Sequence, residues 1–430
     1  MESEKTKNFI LIGDHKHFIR CRFCNSEKMQ VVIDLGNVPL AGGFFKKGNS
    51  QKLAKEKLYP LQICFCPNCF LLQINNVVNA DILFENYFYF SSSIKTLVDH
   101  FETNVQELTK ILPNTKKRLI VEIGCNDGSF IKSLVHNGYK ALGVDPAQNI
   151  TQPLIKQGLP IINDYFSEKL AKKIVNQYGH ADAIYSFHTL AHIEDMNDVI
   201  KGVKVLLKRS GFLAFEVHYL GDLIREVQYD MMYHEHQYYY SLIALKNFFA
   251  MQDMEIFDVK PNPIRGGSMM YFVQNKQFGK RKISKNLINL VLKEKKQGLD
   301  KAKTFTAFFN YINNTKRKLL KLINEVKAKK QTIVGYGASG RGTILMNYCN
   351  LTKQLLDYVI DDAPAKHGAY TPGTHHEIYS SAALNSSNRP DYVVLFAWPF
   401  IEEIKKRHSK YLEKGGKFIV PLPRVKIIGN

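Results

Sequence analysis

Val121–Phe130 reads VEIGCNDGSF, an apolar run that ends in Glu122-x-Gly124-x-x-Asp127-Gly128. A strand that passes through glycines into a helix brings a ligand close to the backbone, at the point where the helix has unpaired N–H groups. The same pattern extends on both sides. RLIVEIG, YKALGVD, ADAIYSF and GFLAFEV read as strands, with amphipathic stretches between them. That alternation predicts an α/β fold with a mostly parallel sheet and helices on both faces.

Beyond the glycines, LGVDP sets Asp145 at the end of the second strand, where a carboxylate can take two ribose hydroxyls. The acid two residues before Gly124, and the Gly124-x-x-x-Gly128 spacing, fit S-adenosylmethionine better than a dinucleotide. A dinucleotide needs a further glycine against its pyrophosphate. Glu122 and Asp127 would suit the cationic methionine end, and Asn126 belongs to the same loop. Asp164 of NDYF stands where an acid often receives the adenine amino group. A plain strand-to-helix turn is the alternative.

A length of 430 residues suggests two or three domains. The formal charge of +20 comes mostly from lysine, much of it between Lys276 and Lys330. It favours polyanions, or simply covers solvated helix faces. No run approaches the roughly 18 apolar residues of a membrane helix, and MESEKTKNF lacks a secretory apolar core. The expectation is a soluble cytoplasmic protein without a membrane partner.

Cys21-x-x-Cys24 and Cys66-x-x-Cys69 form two knuckles with zinc-ligand spacing. Cys64 could replace one ligand or be a buried thiol. Disulfides would require secretion, which nothing in the sequence supports.

The expected organisation is a zinc-binding module at residues 1–80, an α/β core carrying the first glycine loop at 81–276, a helical linker at 277–330 and a second, Rossmann-like unit at 331–430. Ile94 to Leu112 has helical spacing, with Ser91, Ser92 and Ser93 as N-caps. IFDVKPNPIRGGSMMYFVQN reads as an antiparallel pair. Gly335-x-Gly337-x-x-Gly340-x-Gly342 matches the dinucleotide fingerprint, with Asp361 and Asp362 near the ribose position. Arg341 inside that loop instead points to an anion needing a counter-charge, as a nucleotide diphosphate would.

These motifs, in order, resemble the carbon-methyltransferases of nucleotide-linked 4-keto-6-deoxyhexoses, especially those acting at carbon 3. The resemblance runs through CRFC, DLGNVPLAGGFF, CPNCFLLQ, YFYFSSS, VEIGCNDGSF, HTLAHI, YLGD, YHEH, GGS, VGYGASGRGT, DDAPAKHGAYTPGTH and LFAWPFIEEI. It implies a class I methyltransferase core between a zinc-binding module and a second, Rossmann-like domain that holds a TDP-, GDP- or CDP-linked sugar. It implies His236 as catalytic base, with Tyr233, Glu235 and Tyr89 as companions. It further implies His188 in the cofactor site, and Tyr87, Gly267, Tyr336, Ser339, Arg341 and His375 in the substrate site. The chain departs from the family pattern at His188, His218 and Met270.

Methylating carbon requires a base and an enolate stabiliser on either side of one C–H bond. Histidine suits the base because its ordinary pKa lies near working pH. Tyr233 or Tyr89 would hydrogen-bond the carbonyl oxygen, and Glu235 would hold a hydroxyl or orient the imidazole. In an extended YHEH segment, Tyr233 and Glu235 would face away from His236 unless the chain turns. His192 would line the site, cap a helix or fill the core. The zinc would be structural, because an all-thiolate site has no open position. The rivals are a nucleic-acid methyltransferase, which the scarcity of aromatics among the lysines disfavours, and an NAD-dependent sugar-nucleotide oxidoreductase.

Overall fold

The computed structural model describes residues 8–46, 48, 53–84, 90–113 and 115–429. At its centre lies a seven-stranded sheet that begins at the Gly124 loop. In spatial order its strands are Met254–Asn262, Ser268–Asn275, Leu207–His218, Ala181–Phe187, Leu119–Ile123, Lys140–Val144 and Ile161–Ile162. The hairpin Met254–Asn262/Ser268–Asn275 joins through an antiparallel pairing with Leu207–His218, and the neighbouring pairs are parallel. Leu119–Ile123 and Ala181–Phe187 are buried along their whole length. That burial explains their near-continuous apolar sequence, because helices cover both faces of a parallel sheet.

A second sheet follows the order Ile378–Ser380, Val359–Asp361, Ile333–Tyr336, Tyr392–Leu395, Lys417–Val420 and Lys426–Ile428. The first five strands are parallel and the last is antiparallel. Strand order reverses beside Ile333–Tyr336, so the Gly337–Gly342 loop sits where open α/β sheets bind ligands.

The N-terminal part carries two small antiparallel sheets. One is built of Phe9–Ile12, His15–Phe18 and Asn76–Val78. The other consists of Gln30–Val38, Tyr59–Phe65, Leu72–Ile74 and, from far along the chain, Tyr238–Tyr239. Tyr238 pairs with Gln73 and Tyr239 with Leu72, so a segment expected inside the core domain completes the zinc module's sheet.

Helix Lys95–Ile111 buries Leu97, Phe101, Val105 and Leu108, as their spacing predicts. Its N-cap is not one of the serines. Ile94 takes that position without a side-chain cap, and Ser91–Ser93 form a 3-10 turn before it. The turn is held instead by the glycine loop: Ser91 N donates to Asn126 Oδ1 (2.9 Å) and Ser92 N to Asp127 Oδ2 (2.7 Å).

The lysine-rich region forms helices Lys285–Gln297 and Ala302–Ala328. Phe305, Phe308, Ile312, Leu319, Ile323 and Val326 of the longer one are buried in a core shared with the zinc module and the C-terminal sheet. Each such side chain contributes roughly 1.5–3 kcal/mol of transfer free energy, so the helix joins its neighbours rather than spacing them. Glu294 on the shorter helix is fully buried and accepts from Leu242 N (2.7 Å) and Ile243 N (2.8 Å), capping helix Leu242–Met251. Among the described residues no helix is long and apolar enough to cross a membrane.

Candidate active site and zinc centre

The four sulfurs of Cys21, Cys24, Cys66 and Cys69 lie within 4.8 Å of one another. Sγ–Sγ distances are 3.5 Å for Cys21–Cys69 and 3.6 Å for Cys24–Cys66. Asn25 and Phe70, just after each knuckle, have positive φ, which turns the chain back around the sulfurs. Four thiols converging this closely without a disulfide fit a tetrahedral zinc ion, and the Gln73 amide donates to Cys21 Sγ (3.1 Å) as an outer partner. Cys64 is buried in strand Tyr59–Phe65 and takes no part in the cluster. Burial pushes its thiol up to about 12.

The central glycine loop opens onto a cavity of about 1280 Å³ lined by Gly124, Asn126, Asp145, Tyr165, His188 and His192, among others. Asp145 Oδ2 accepts from Asn126 N and Oδ1 from Ala147 N, both at 2.9 Å, so backbone donors fix the carboxylate at the strand end. Burial raises its pKa against the lowering effect of those two bonds. Glu122 is buried with Oε2 unpartnered among the described residues, and burial next to Asp145 and Asp127 holds its pKa well above the usual carboxylate range. An orphaned buried carboxylate oxygen beside a large cavity fits a cationic ligand such as the methionine end of S-adenosylmethionine.

Asp127 plays a different part. Its oxygens take Ser92 N and the Ser129 hydroxyl (2.7 Å each), so it anchors the serine turn. Gly128 is the N-cap of helix Ser129–His136. Asp164 is exposed, beside the cavity-lining Tyr165 and Phe166.

The segment Tyr229–Ser241 lies where all three parts meet. Tyr240 Oη donates to Leu190 O (2.8 Å) and Tyr238 Oη to Glu194 O (2.6 Å) in the core. His234 Nε2 donates to Pro60 O (3.3 Å) of the zinc module, and its ring meets Tyr59 edge-on. Asp230, fully buried, receives both Arg341 Nε and Nη2 and also Trp398 Nε1, all at 2.9 Å, from the C-terminal domain.

The YHEH stretch turns, through a His236 N to Tyr233 O bond of 2.9 Å. The turn brings the Tyr233 ring against His236, with centroids 4.0 Å apart and planes tilted by 32°, and sends His234 to Pro60 on the opposite side. His236 Nδ1 lies 2.7 Å from Met231 O; a carbonyl only accepts, so the proton sits on Nδ1 and Nε2 keeps its lone pair. Burial and neighbouring His192 hold His236 down at about 3, so it is neutral at working pH. Burial pushes Glu235 up to about 7, with the Gly42 backbone opposing.

His192 was open between three roles. It lines the cavity, donates from Nδ1 to Glu235 O (2.7 Å) and places its ring 5.1 Å from that of His236. His218 continues the cluster at 5.5 Å from His236 and 5.2 Å from His188.

The residues expected at the sugar nucleotide divide. Ser339 caps helix Gly340–Tyr348, and the Gly340 backbone lies against Tyr233 and Ala41. Arg341 is paired with Asp230 rather than left open for an anion. Tyr336 belongs to another cluster, donating to Asp362 Oδ2 (2.5 Å) near His408. His375 binds Glu56 of the zinc module (2.6 Å), and Gly267 packs on Asp222. Tyr87 and Tyr89 lie outside the described residues.

Sequence reasoning missed Glu216, His100 and Asp230. Glu216 carried a signal: it is an acid inside the apolar strand GFLAFEV, and a carboxylate buried in a sheet must be paired.

The fold and the two centres define an S-adenosylmethionine-dependent methyltransferase with a structural zinc site. Family models match the chain in three consecutive stretches: a zinc binding domain at residues 21–84, a methyltransferase domain at 98–258 and a C-methyltransferase C-terminal domain at 263–423. The C-methyltransferase NovU of Streptomyces niveus is 30% identical over 408 residues, covering 95% of this chain and 96% of that protein. The chain belongs to this C-methyltransferase family. An uncharacterized methyltransferase of Alkaliphilus oremlandii is 24% identical over 141 residues, 31% of this chain and 64% of that one. Among solved structures, the magnesium protoporphyrin IX methyltransferase of Synechocystis with bound SAH is 18% identical, with a TM-score of 0.30 over 41% of this chain and 81% of that chain.

Proposed function

We propose that the enzyme methylates carbon 3 of a 4-keto-6-deoxyhexose carried on a nucleoside diphosphate, TDP, GDP or CDP, by way of an enolate. The observation that carries this reading is the turn at Tyr233–His236, which sets a phenol ring against an imidazole whose Nε2 keeps its lone pair.

His236 Nε2 takes the proton from the carbon beside the ketone while the electron pair moves toward the carbonyl oxygen. Tyr233, and Tyr89 from the preceding segment, donate to that oxygen as charge develops. Bound S-adenosylmethionine, held by Gly124, Asp145 and Glu122, supplies the electrophilic methyl group. The low affinity of His236 for a proton comes first from burial and is deepened by the neighbouring imidazoles and, least, by Arg341. A diphosphate and an enolate bring negative charge into that cluster, which raises the base strength of His236 when it is needed. Glu235, whose carboxyl lies against Gly42, orients a sugar hydroxyl, while the Gly340 backbone packed against Tyr233 bounds that side of the site.

The test is incubation with S-adenosylmethionine and a panel of freshly made 4-keto-6-deoxy sugar nucleotides. A mass gain of one methylene, with a new carbon-bound methyl by NMR, is expected. His236→Ala should lower kcat by roughly 10²–10⁴-fold with unchanged S-adenosylhomocysteine affinity. An O-methyl product, or a His236→Ala protein as active as the parent, refutes the reading.

A further inference from the structure

The stretch Leu40–Phe45, LAGGFF, belongs to the zinc module yet is tied down on the C-terminal domain. Thr343 Oγ1 donates to Ala41 O (3.2 Å), and Phe45 and Tyr370 exchange backbone bonds of 3.2 and 2.8 Å. Farther along, Glu56 accepts from Gly373 N (2.8 Å) and His375 Nε2 (2.6 Å). The Lys366 ammonium, itself bonded to Ala338 O, lies 5.7 Å from the centre of the Phe44 ring. These ties hold the stretch beside the Tyr233–His236 turn, where Ala41 and Tyr233 both lie against Gly340 and Gly42 faces Glu235.

The two glycines at its bend have different reasons to be there. Gly43 N donates to Leu40 O (3.1 Å), and a Cβ on Gly43 would press on that same carbonyl at 3.2 Å, so the tight turn itself favours glycine. Gly42 has no such need. Its φ lies outside the left-handed region, and beyond its chain neighbours a Cβ there would meet only Glu235 Oε1 among the described residues, at 3.7 Å, an ordinary contact. Folding therefore accepts a side chain at this position. Such a side chain would instead fill the gap over the Glu235 carboxyl, which opens outward, since Gly42 is exposed and Tyr233 and Glu235 are half-buried. A carboxyl in either protonation state accepts a hydrogen bond from a hydroxyl. A hydroxyl oxygen bound to Oε1 at about 2.7 Å competes for the space that a Cβ beside the same oxygen would take.

We propose that Leu40–Phe45 forms a wall of the sugar site and that Gly42 is a specificity-determining residue in it: the missing side chain leaves room over Glu235 for the sugar hydroxyl that this carboxyl orients. This role rests on the sugar-nucleotide reading above. Gly42 takes no part in proton or methyl transfer; it decides which sugar can be seated.

The experiment is calorimetric binding of 4-keto-6-deoxy sugar nucleotides to the zinc-loaded enzyme saturated with S-adenosylhomocysteine. Gly42→Ala should weaken binding roughly tenfold and Gly42→Val roughly 100-fold, the range that one or two misplaced methyl groups cost in a fitted pocket. Thermal melting should not change, and S-adenosylhomocysteine affinity should stay within about twofold. Glu235→Ala empties the other side of the gap and should itself weaken binding roughly tenfold. On that background Gly42→Val should cost no more than about threefold, because the hydroxyl is no longer held there. Should the valine variant melt early, Gly42→Ala gives the same comparison on the smaller scale. Parental binding in a folded Gly42→Val protein overturns the proposal. So does a valine cost that persists undiminished in the Glu235→Ala background, or a loss of S-adenosylhomocysteine affinity as large as the loss of sugar nucleotide, either of which makes the stretch a general support. A parent enzyme that binds no member of a TDP-, GDP- and CDP-linked panel defeats the sugar-nucleotide reading instead, a result that no variant comparison can mimic.

Discussion

The chain contains two strand–glycine–helix loops, and they have been put to opposite uses. The loop after Leu119–Ile123 faces a large cavity, with Asp145 held open by backbone donors and Glu122 left with an unpartnered oxygen. The loop after Ile333–Tyr336 faces protein. Gly340 lies on Ala41, Thr343 Oγ1 donates to Ala41 O (3.2 Å), and Arg341 grips Asp230. Lys366 bonds the Ala338 carbonyl (2.6 Å) and reaches Asp361, the acid a dinucleotide's ribose would use (3.3 Å). Glycine spacing therefore sets the shape of the backbone, whereas the groups that already occupy its donors and acids decide whether a ligand fits. The second loop matches the fingerprint more literally, yet it carries contacts that join the C-terminal domain to the Tyr229–Ser241 segment.

The strongest way to break this contrast is at Arg341. Arg341→Met leaves Asp230 buried with, among the described residues, only the Trp398 side-chain N–H, so we expect a loss of about 3–5 kcal/mol in denaturant unfolding, since a buried charge then lacks its partner. Adding Asp230→Leu should restore most of it. If Arg341→Met melts like the parent and only raises KM for the sugar nucleotide, the arginine serves phosphate and the two loops are alike.

A paired substitution sharpens the contrast at lower energy. Gly124 has φ +79, and a Cβ there would stand 2.0 Å from Thr189 Oγ1. Gly124→Ala should cost about 2–4 kcal/mol and abolish S-adenosylhomocysteine binding in calorimetry, through αL strain and overpacking together. A Cβ on Gly340 meets Ala41 Cβ at 3.3 Å, which a small shift relieves. Gly340→Ala should stay within about 1 kcal/mol and leave cofactor binding unchanged. Equal losses at the two sites would mean that the second loop is as tightly fitted as the first.

What could be read from the sequence follows the same division. The α/β fold, the four zinc thiols and Asp145 were legible because each depends on local spacing: strand length, knuckle geometry, the end of a strand. Helix Ala302–Ala328 was legible on its apolar side for the same reason. The partners of Arg341, Asp127 and His375 were not, because each lies far away in sequence and belongs to another part of the molecule. The turn at YHEH was equally hidden. Alternation would separate Tyr233 from His236, and it is the packing of three domains around this thirteen-residue segment that folds it back. Glu294 shows the limit most plainly: on a lysine-rich helix it looks like solvated charge, yet it caps a helix more than forty residues earlier in the chain, a ligation that no local pattern encodes.

Glu235 offers the smallest test, on the crowded side of the comparison, where its carboxylate lies against Gly42 next to Ala41. Its folded pKa, pushed up by burial to about 7 from an ordinary 4.5, means that the folded protein binds more protons than the unfolded chain between those values. Stability from this group is therefore full at lower pH and declines as pH rises through that window. His192 and His234, pushed down by burial to about 4, act in the opposite sense, losing stability as pH falls below their ordinary value of 6.5. They are common to parent and variant, so they cancel in a difference measurement. Relative to the parent, Glu235→Gln should become more stable by about 1 kcal/mol between about pH 5 and about pH 8, less than the full shift implies because the side chain keeps some contact with water. A difference that stays flat across that range would mean that Glu235 is ionised in the folded protein, with a cationic partner, and that the space beside Gly42 is as open to charge as the cavity beside Gly124.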